Sequence, residues 1–235
     1  MSLAERLRYA RNAMNTTLAA VEERTGIGVS TLSDFETAKR EPKLSQLKQL
    51  ADEYKRSIGF FLDDAEVQPE VVLWRARPTS PQAEEIQAQL LEFAEQYHNL
   101  EVWCEDRQEF EIPVALGSPG TFTYLDAEKL AHRVRNELGL GERPGQTLLR
   151  VLEEVCKIKV FHLPFEPTGS AACTLSERYD AAILLNSRNV RWRRNFDLAH
   201  ELFHLLTWRV FRQPGSAAFV EPTEKEEKFA TCFAS

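Results

Sequence analysis

The sequence predicts a mainly α chain with a small sheet, an all-α N-terminal domain followed by an α+β domain. Three observations carry this expectation. Residues 3–62 hold a run of short apolar stripes at helical spacing, separated by turn signals. Two later stretches, 157–163 and 180–186, read as strands and are set among helices. The 235 residues are 43% hydrophobic and 28% charged, enough for one or two cores and unlike a disordered chain.

Each element follows from local chemistry. Leu3, Leu7, Ala10 and Met14 mark a first helix. Leu18 and Val21 mark a second, which stops at Thr25-Gly26 because glycine accepts the left-handed turn. A third covers about Val29–Thr37 and contains Leu32 and Phe35. Pro42 blocks its continuation and starts a fourth, carrying Leu44, Leu47, Leu50 and Ala51. A last turn, Ser57–Leu62, closes a domain assigned to residues 1–64.

Residues 65–124 read as a linker and a long helix. The linker has one apolar patch, Val71, Val72, Leu73 and Trp74. The helix spans 80–104, with Ser80 as its N-cap and Pro81 at its first position. Its stripe of Ile86, Leu90, Phe93, Tyr97 and Leu100 needs a partner surface, supplied by packing or by a homodimer. Residues 125–235 form the third part. It holds a helix at Asp126–Leu138 ended by Gly139 and Gly141, a helix at Leu148–Val155, and the two strands. An arginine-rich loop at 188–194, a helix at Phe196–Trp208 and an acidic helix at Pro222–Ala234 complete it.

Composition narrows the function. Lys and Arg number 29 against 36 Asp and Glu, for a net charge of −7. Residues 1–64 hold ten of each sign, so the remainder carries the whole excess. Phosphate affinity comes from clustered cations, so nucleic-acid binding must rest on local patches. No apolar run of about 18 residues offers a spanning helix, and the N-terminus lacks the apolar core of a secretory signal. Cys104, Cys156, Cys173 and Cys232 form no CxxC pair, which fits a reducing cytoplasm.

The chemistry concentrates at His200-Glu201-Leu202-Phe203-His204. Residues four apart share a helix face, so both imidazoles can converge on one metal ion. Glu201, about 100° round the helix, can reach a water at that metal and act as general base. The helix is otherwise apolar, and burying two histidines and a glutamate without partners would be costly. Two ligands need a third. No histidine follows within six residues of His204, and the downstream carboxylates are Glu221, Glu224, Glu226 and Glu227. The other reading of these acids, which covers three of the four, is a solvated helix start that suits the helix dipole. Glu227, just before the apolar face of Phe229, Ala230, Phe233 and Ala234, is the best placed by spacing.

Other residues read less sharply. His98, His132 and His162 are isolated and read as surface or core residues. Cys173 reads as an ordinary free thiol or as a cap on the metal. Arg191, Arg193 and Arg194 read as a solvated loop or as a clamp for an acidic substrate.

Residues 126–234 resemble the ImmA/IrrE family of zinc-dependent endopeptidases. The likeness runs through Leu138-Gly139-Leu140-Gly141, a Leu-Glu-Glu helix, Ile158-Lys159-Val160-Phe161, Leu185-Asn186 and the arginine-rich loop. It continues in Phe196-x-Leu198-Ala199-His200-Glu201-Leu202-Phe203-His204 and in Glu227-Lys228-Phe229-Ala230-Thr231-Cys232-Phe233-Ala234. The resemblance implies a zincin-like fold with zinc held by His200, His204 and Glu227, and Glu201 as the catalytic base. It also implies limited proteolysis of a repressor or a co-encoded partner protein, in stress response or mobile-element control. Asp197, Phe203 and Thr231 stand where the family usually has Thr or Ser, Gly, and Asn; Phe203 is expected to narrow the substrate cleft. The chain stops at Ser235, where the family runs on into a Leu-Leu-Met-Pro stretch, and so reads as C-terminally truncated.

Residues 3–62 resemble the helix-turn-helix of phage-repressor-like XRE (Cro/CI-type) regulators. Leu7-Arg8, Arg11, Leu18 to Val21, Thr25-Gly26-Ile27, Ser30-Thr31-Leu32-Ser33, Phe35-Glu36 and Lys39-Arg40-x-Pro42 carry the likeness. It implies that Val29, Ser30, Ser33 and Asp34 face base edges of double-stranded DNA, while Lys39, Arg40 and Lys43 meet phosphates. Glu22 stands where Ala is usual, and Ala38 where Gly is usual. The two resemblances together imply a cytoplasmic transcriptional regulator with a zinc endopeptidase domain. The alternatives are a helix-turn-helix used for dimerisation or docking, a non-catalytic regulator, or a toxin–antitoxin component that uses the zinc fold for sensing or partner binding.

Overall fold

The computed structural model describes residues 1–63, 70–78, 83–106, 112–166, 169–212 and 221–235. The chain divides into two compact units, Met1–Pro69 with Pro81–Gln96, and Glu70–Ser80 with Tyr97–Ser235.

The first unit opens with α1 (Leu3–Ala13), started by a capping box in which Ser2 and Glu5 satisfy each other's backbone amides. Thr17 caps α2 (Leu18–Thr25), and Gly26 ends it at φ +71. There follow α3 (Val29–Glu36), α4 (Leu44–Glu53) and α5 (Ile58–Leu62), the last capped by Ser57. These five bounds lie within two residues of those read from apolar spacing. Leu7, Ala10, Val21, Leu32, Phe35, Leu47, Leu50, Tyr54, Phe60 and Phe61 form one core. Arg6 is buried in it, donating to the Phe60 carbonyl at 2.6 Å with its guanidinium over the Phe60 ring.

The second unit is built on a four-stranded sheet. Its elements are β1 (Val72–Trp74), α7 (Tyr124–Glu137), α8 (Pro144–Glu154), β2 (Lys159–Leu163), β3 (Ala171–Ser176), β4 (Asp180–Asn186), α9 (Arg191–Leu206), α10 (Trp208–Phe211) and α11 (Glu224–Ala234). Helix α6 (Ala83–Trp103) falls partly in each unit, with Gln96 its last residue in the first. Its expected N-cap, Ser80-Pro81, lies outside the described residues. Sheet order is β1-β3-β4-β2; β3 pairs antiparallel with β1 and β4, and β2 pairs parallel with β4.

Two strands departed from the sequence reading. Val72–Trp74, expected as a linker patch, is an edge strand in register with Thr174, Cys173 and Ala172. The central strand β3, AACTLS, lacks an apolar alternation because it lies between two neighbours and is largely buried. Its small residues let α9 pack on the sheet. The arginine-rich stretch is likewise part helix, since α9 begins at Arg191.

Helix α9 lies in the middle of this unit, in contact with β3, β4, α8 and α11. Nine of its residues are buried, including all of 200–206. Phe203 is wholly buried, its ring against Phe122, Phe211 and Phe233 at 5.7–6.4 Å. It therefore fills the core and does not narrow a cleft. Phe229 of α11 joins the same cluster, 5.3 Å from Phe122. Burying a ring of this size contributes about 1.5–3 kcal/mol, so the cluster fixes α11 against α9.

Candidate functional site

Packing α11 on α9 brings three expected ligands together. His200 and His204 stack one turn apart with ring centroids at 5.1 Å. Glu227 faces both, with Oε2 3.1 Å from His200 Nε2 and Oε1 3.3 Å from His204 Nε2. One donor atom from each lies within 4.8 Å of the others. Ligands at zinc's usual bond lengths in a tetrahedron sit about 3.3 Å apart, so the donor set fits the ion. Electrostatics agrees. His204 donates through Nδ1, which leaves a lone pair on Nε2 facing a carboxylate. Two acceptors in contact need a cation or a proton between them.

The charge states reflect that pressure. Burial works against ionised Glu227, but its bonds to His200 and His204 hold its carboxyl down at about 2. Burial also works against a charged His204, yet Glu226 and Glu227 outweigh it and raise the imidazole to about 9. His200 goes the other way, lowered chiefly by burial.

Glu201 lies on the neighbouring face of α9 and is fully buried. Burial pushes its carboxyl up to about 7, against the pull of His204, Cys173 and Arg75. Neither carboxylate oxygen has a complete hydrogen bond among the described residues. Cys173 of β3 is its fully buried neighbour, and its thiol is pushed well up by burial and by the Glu201 charge.

Three features here were not legible beforehand. Glu226, expected to lie on a solvated helix start, is 2% exposed; its Oε1 accepts from His204 Nδ1 at 3.0 Å and from Arg212 Nη1 at 2.7 Å. An imidazole has nitrogens on two edges, so consecutive glutamates can meet one each. Asp197, the departure from the family pattern, is buried and bonded to Arg75, whose guanidinium lies over Phe196 at 4.6 Å. Arg191 is exposed, Arg193 donates to the Ser170 hydroxyl, and Arg194 donates to the Ser187 carbonyl.

The other expected surface lies in the first unit. Val29 and Ser30, at the start of α3, are exposed, and Ser33 and Asp34 are half-buried on the next turn. Lys39, Arg40 and Lys43 are exposed in the following loop and carry no ion pair among the described residues. Arg11 and Glu36 neutralise each other through two bonds of 2.6 and 2.9 Å, and Arg24 pairs with Glu53. A segment of zero net charge can therefore still present a cationic loop.

No curated protein matches the chain. A family model described as helix-turn-helix matches residues 7–61. Over those residues the chain is similar to XRE-type helix-turn-helix proteins, which supports a DNA-binding transcriptional regulator.

Proposed function

We propose that the chain is a transcriptional regulator carrying a zinc-dependent, ImmA/IrrE-like endopeptidase domain that cuts a repressor or a co-encoded partner protein. The observation that carries this is the convergence of both Nε2 atoms on Glu227, with buried Glu201 beside them. His200, His204 and Glu227 would hold the ion, and Glu201 is left outside the ligand set. Zinc bound there supplies a Lewis acid that polarises a peptide carbonyl and acidifies a water.

The remaining work falls to the protein. Glu201 takes the water's proton as the oxygen attacks the carbonyl carbon, then returns it to the departing amine nitrogen. A carboxyl at about 7 is suited to both halves of that transfer near neutral pH. In the first unit, Val29, Ser30, Ser33 and Asp34 read base edges, and Lys39, Arg40 and Lys43 hold phosphates.

The test separates base from ligand. Glu201→Gln should keep near-stoichiometric zinc, measured by elemental mass spectrometry. It should cleave partner proteins encoded beside the gene roughly 10²–10⁴-fold more slowly than the parent protein. Equal cleavage by the variant would defeat the mechanism, and loss of zinc would move Glu201 into the ligand set.

A further inference from the structure

We propose that Glu226, anchored by Arg212, is a positioning residue that locks His204 as the fixed metal ligand of this chain. The inference rests on the metal reading above and goes beyond its ligand set.

Glu226 Oε1 touches two donors at once, His204 Nδ1 at 3.0 Å and Arg212 Nη1 at 2.7 Å. Both glutamate and arginine are largely buried, with side chains 2% and 9% exposed. The Arg212 guanidinium also lies over the Trp208 ring at 5.3 Å. A carboxylate on Nδ1 selects the tautomer with its proton there. It thereby points the Nε2 lone pair at Glu227 and makes that nitrogen a stronger ligand.

The two histidines differ in this support. His200 Nδ1 is buried and has no hydrogen-bond partner among the described residues. His204 is held through Nδ1 by Glu226, whereas His200 is held only by its helix and by its Nε2 contact with Glu227. Charge balance gives Arg212 its part. Glu201, Glu226 and Glu227 place three carboxylates around two imidazoles. With Arg75 paired to Asp197, the Arg212 guanidinium and one dication cancel them, whereas the dication alone would leave a buried negative charge.

Zinc affinity, read by competition with a chromophoric chelator, and the visible spectrum of the cobalt-substituted protein test the assignment on the full chain. Glu226→Ala should weaken zinc binding about 10- to 100-fold and alter the cobalt spectrum. Glu226→Gln keeps an acceptor for Nδ1–H but loses the charge, so its affinity should fall between those of Glu226→Ala and the parent. Glu224→Ala, at an exposed residue paired only with Lys228 on the surface, should bind zinc as the parent does.

Parent-like zinc affinity in Glu226→Ala would overturn the proposal, and so would equal losses in all three variants. If Glu226→Ala fails to fold by circular dichroism, the Gln variant decides, and parent affinity with an unchanged cobalt spectrum there overturns it. A parent protein that binds neither zinc nor cobalt would instead overturn the metal reading itself.

Discussion

Ala38 sits at φ +57, in the left-handed region, in the loop that follows α3. A Cβ in the left-handed region costs about 1–2 kcal/mol, while glycine's extra freedom in the unfolded chain costs about 0.4–1 kcal/mol. The first effect is larger, so Ala38→Gly should stabilise the first unit by about 0.5–1 kcal/mol, seen in chemical denaturation. A lower midpoint would mean that the loop is not strained. The second unit offers a pH test. His204, raised to about 9, contributes stability that is complete below its usual 6.5 and is lost as pH rises through 9. Glu201, raised to about 7, is an acid that binds its proton more tightly when folded, so stability falls as pH rises from 4.5 through 7. The two act in the same direction. His200, lowered by burial, opposes them below its usual 6.5, so melting of metal-free protein should drop between about pH 6.5 and pH 9, by an amount on the order of 3 kcal/mol for His204 alone. A melting temperature that climbs across that window would contradict the burial of the cluster.

At the scale of elements, what could be read in advance followed how repetitive each element's chemistry is. The helices of the first unit and α7, α9 and α11 announce themselves through apolar spacing and caps, and the His-Glu-x-x-His pattern follows from α9 being a helix at all. The strands β1 and β3 could not be read this way. Three residues make β1, too few for a period, and it becomes a strand only because β3 offers an open edge. Glu226 and Arg212 were hidden for another reason, since their role depends on how α11 docks on α9. On α3, Val29 and Ser30 are exposed and Ser33 and Asp34 half-buried, and the loop that follows exposes Lys39 and Arg40, which supports a prediction. Arg40 in the cationic loop should contact phosphate and not bases. Arg40→Ala should then weaken duplex binding to about the same degree on every sequence, and lower the slope of log affinity against log salt by about one. Electrophoretic shifts over a salt series would show it. Loss confined to one operator would make Arg40 a base reader, and no duplex binding by the parent protein at low salt would favour a docking role for this unit.

Across the whole molecule, the two units have separate cores, one centred on Leu7, Phe35 and Phe60, the other on Ile183, Leu202 and Phe203. Among the described residues no helix is long and apolar enough to cross a membrane. Separate cores should melt separately, so calorimetry of the full chain is expected to resolve two transitions. All of the proposed zinc ligands belong to the second unit. A ligand that binds only the folded form stabilises it by about 2.7 kcal/mol at a free concentration one hundred times its dissociation constant. For a unit of this size that corresponds to roughly 5–11 °C. Zinc should therefore raise one transition by that amount and leave the other in place, and His200→Ala should abolish the rise. The transition that moves should be the one whose midpoint falls with rising pH, because metal and proton compete for the same His204 nitrogen. If zinc shifts both transitions equally, or shifts the one that Ala38→Gly stabilises, the ion is not bound where His200, His204 and Glu227 converge.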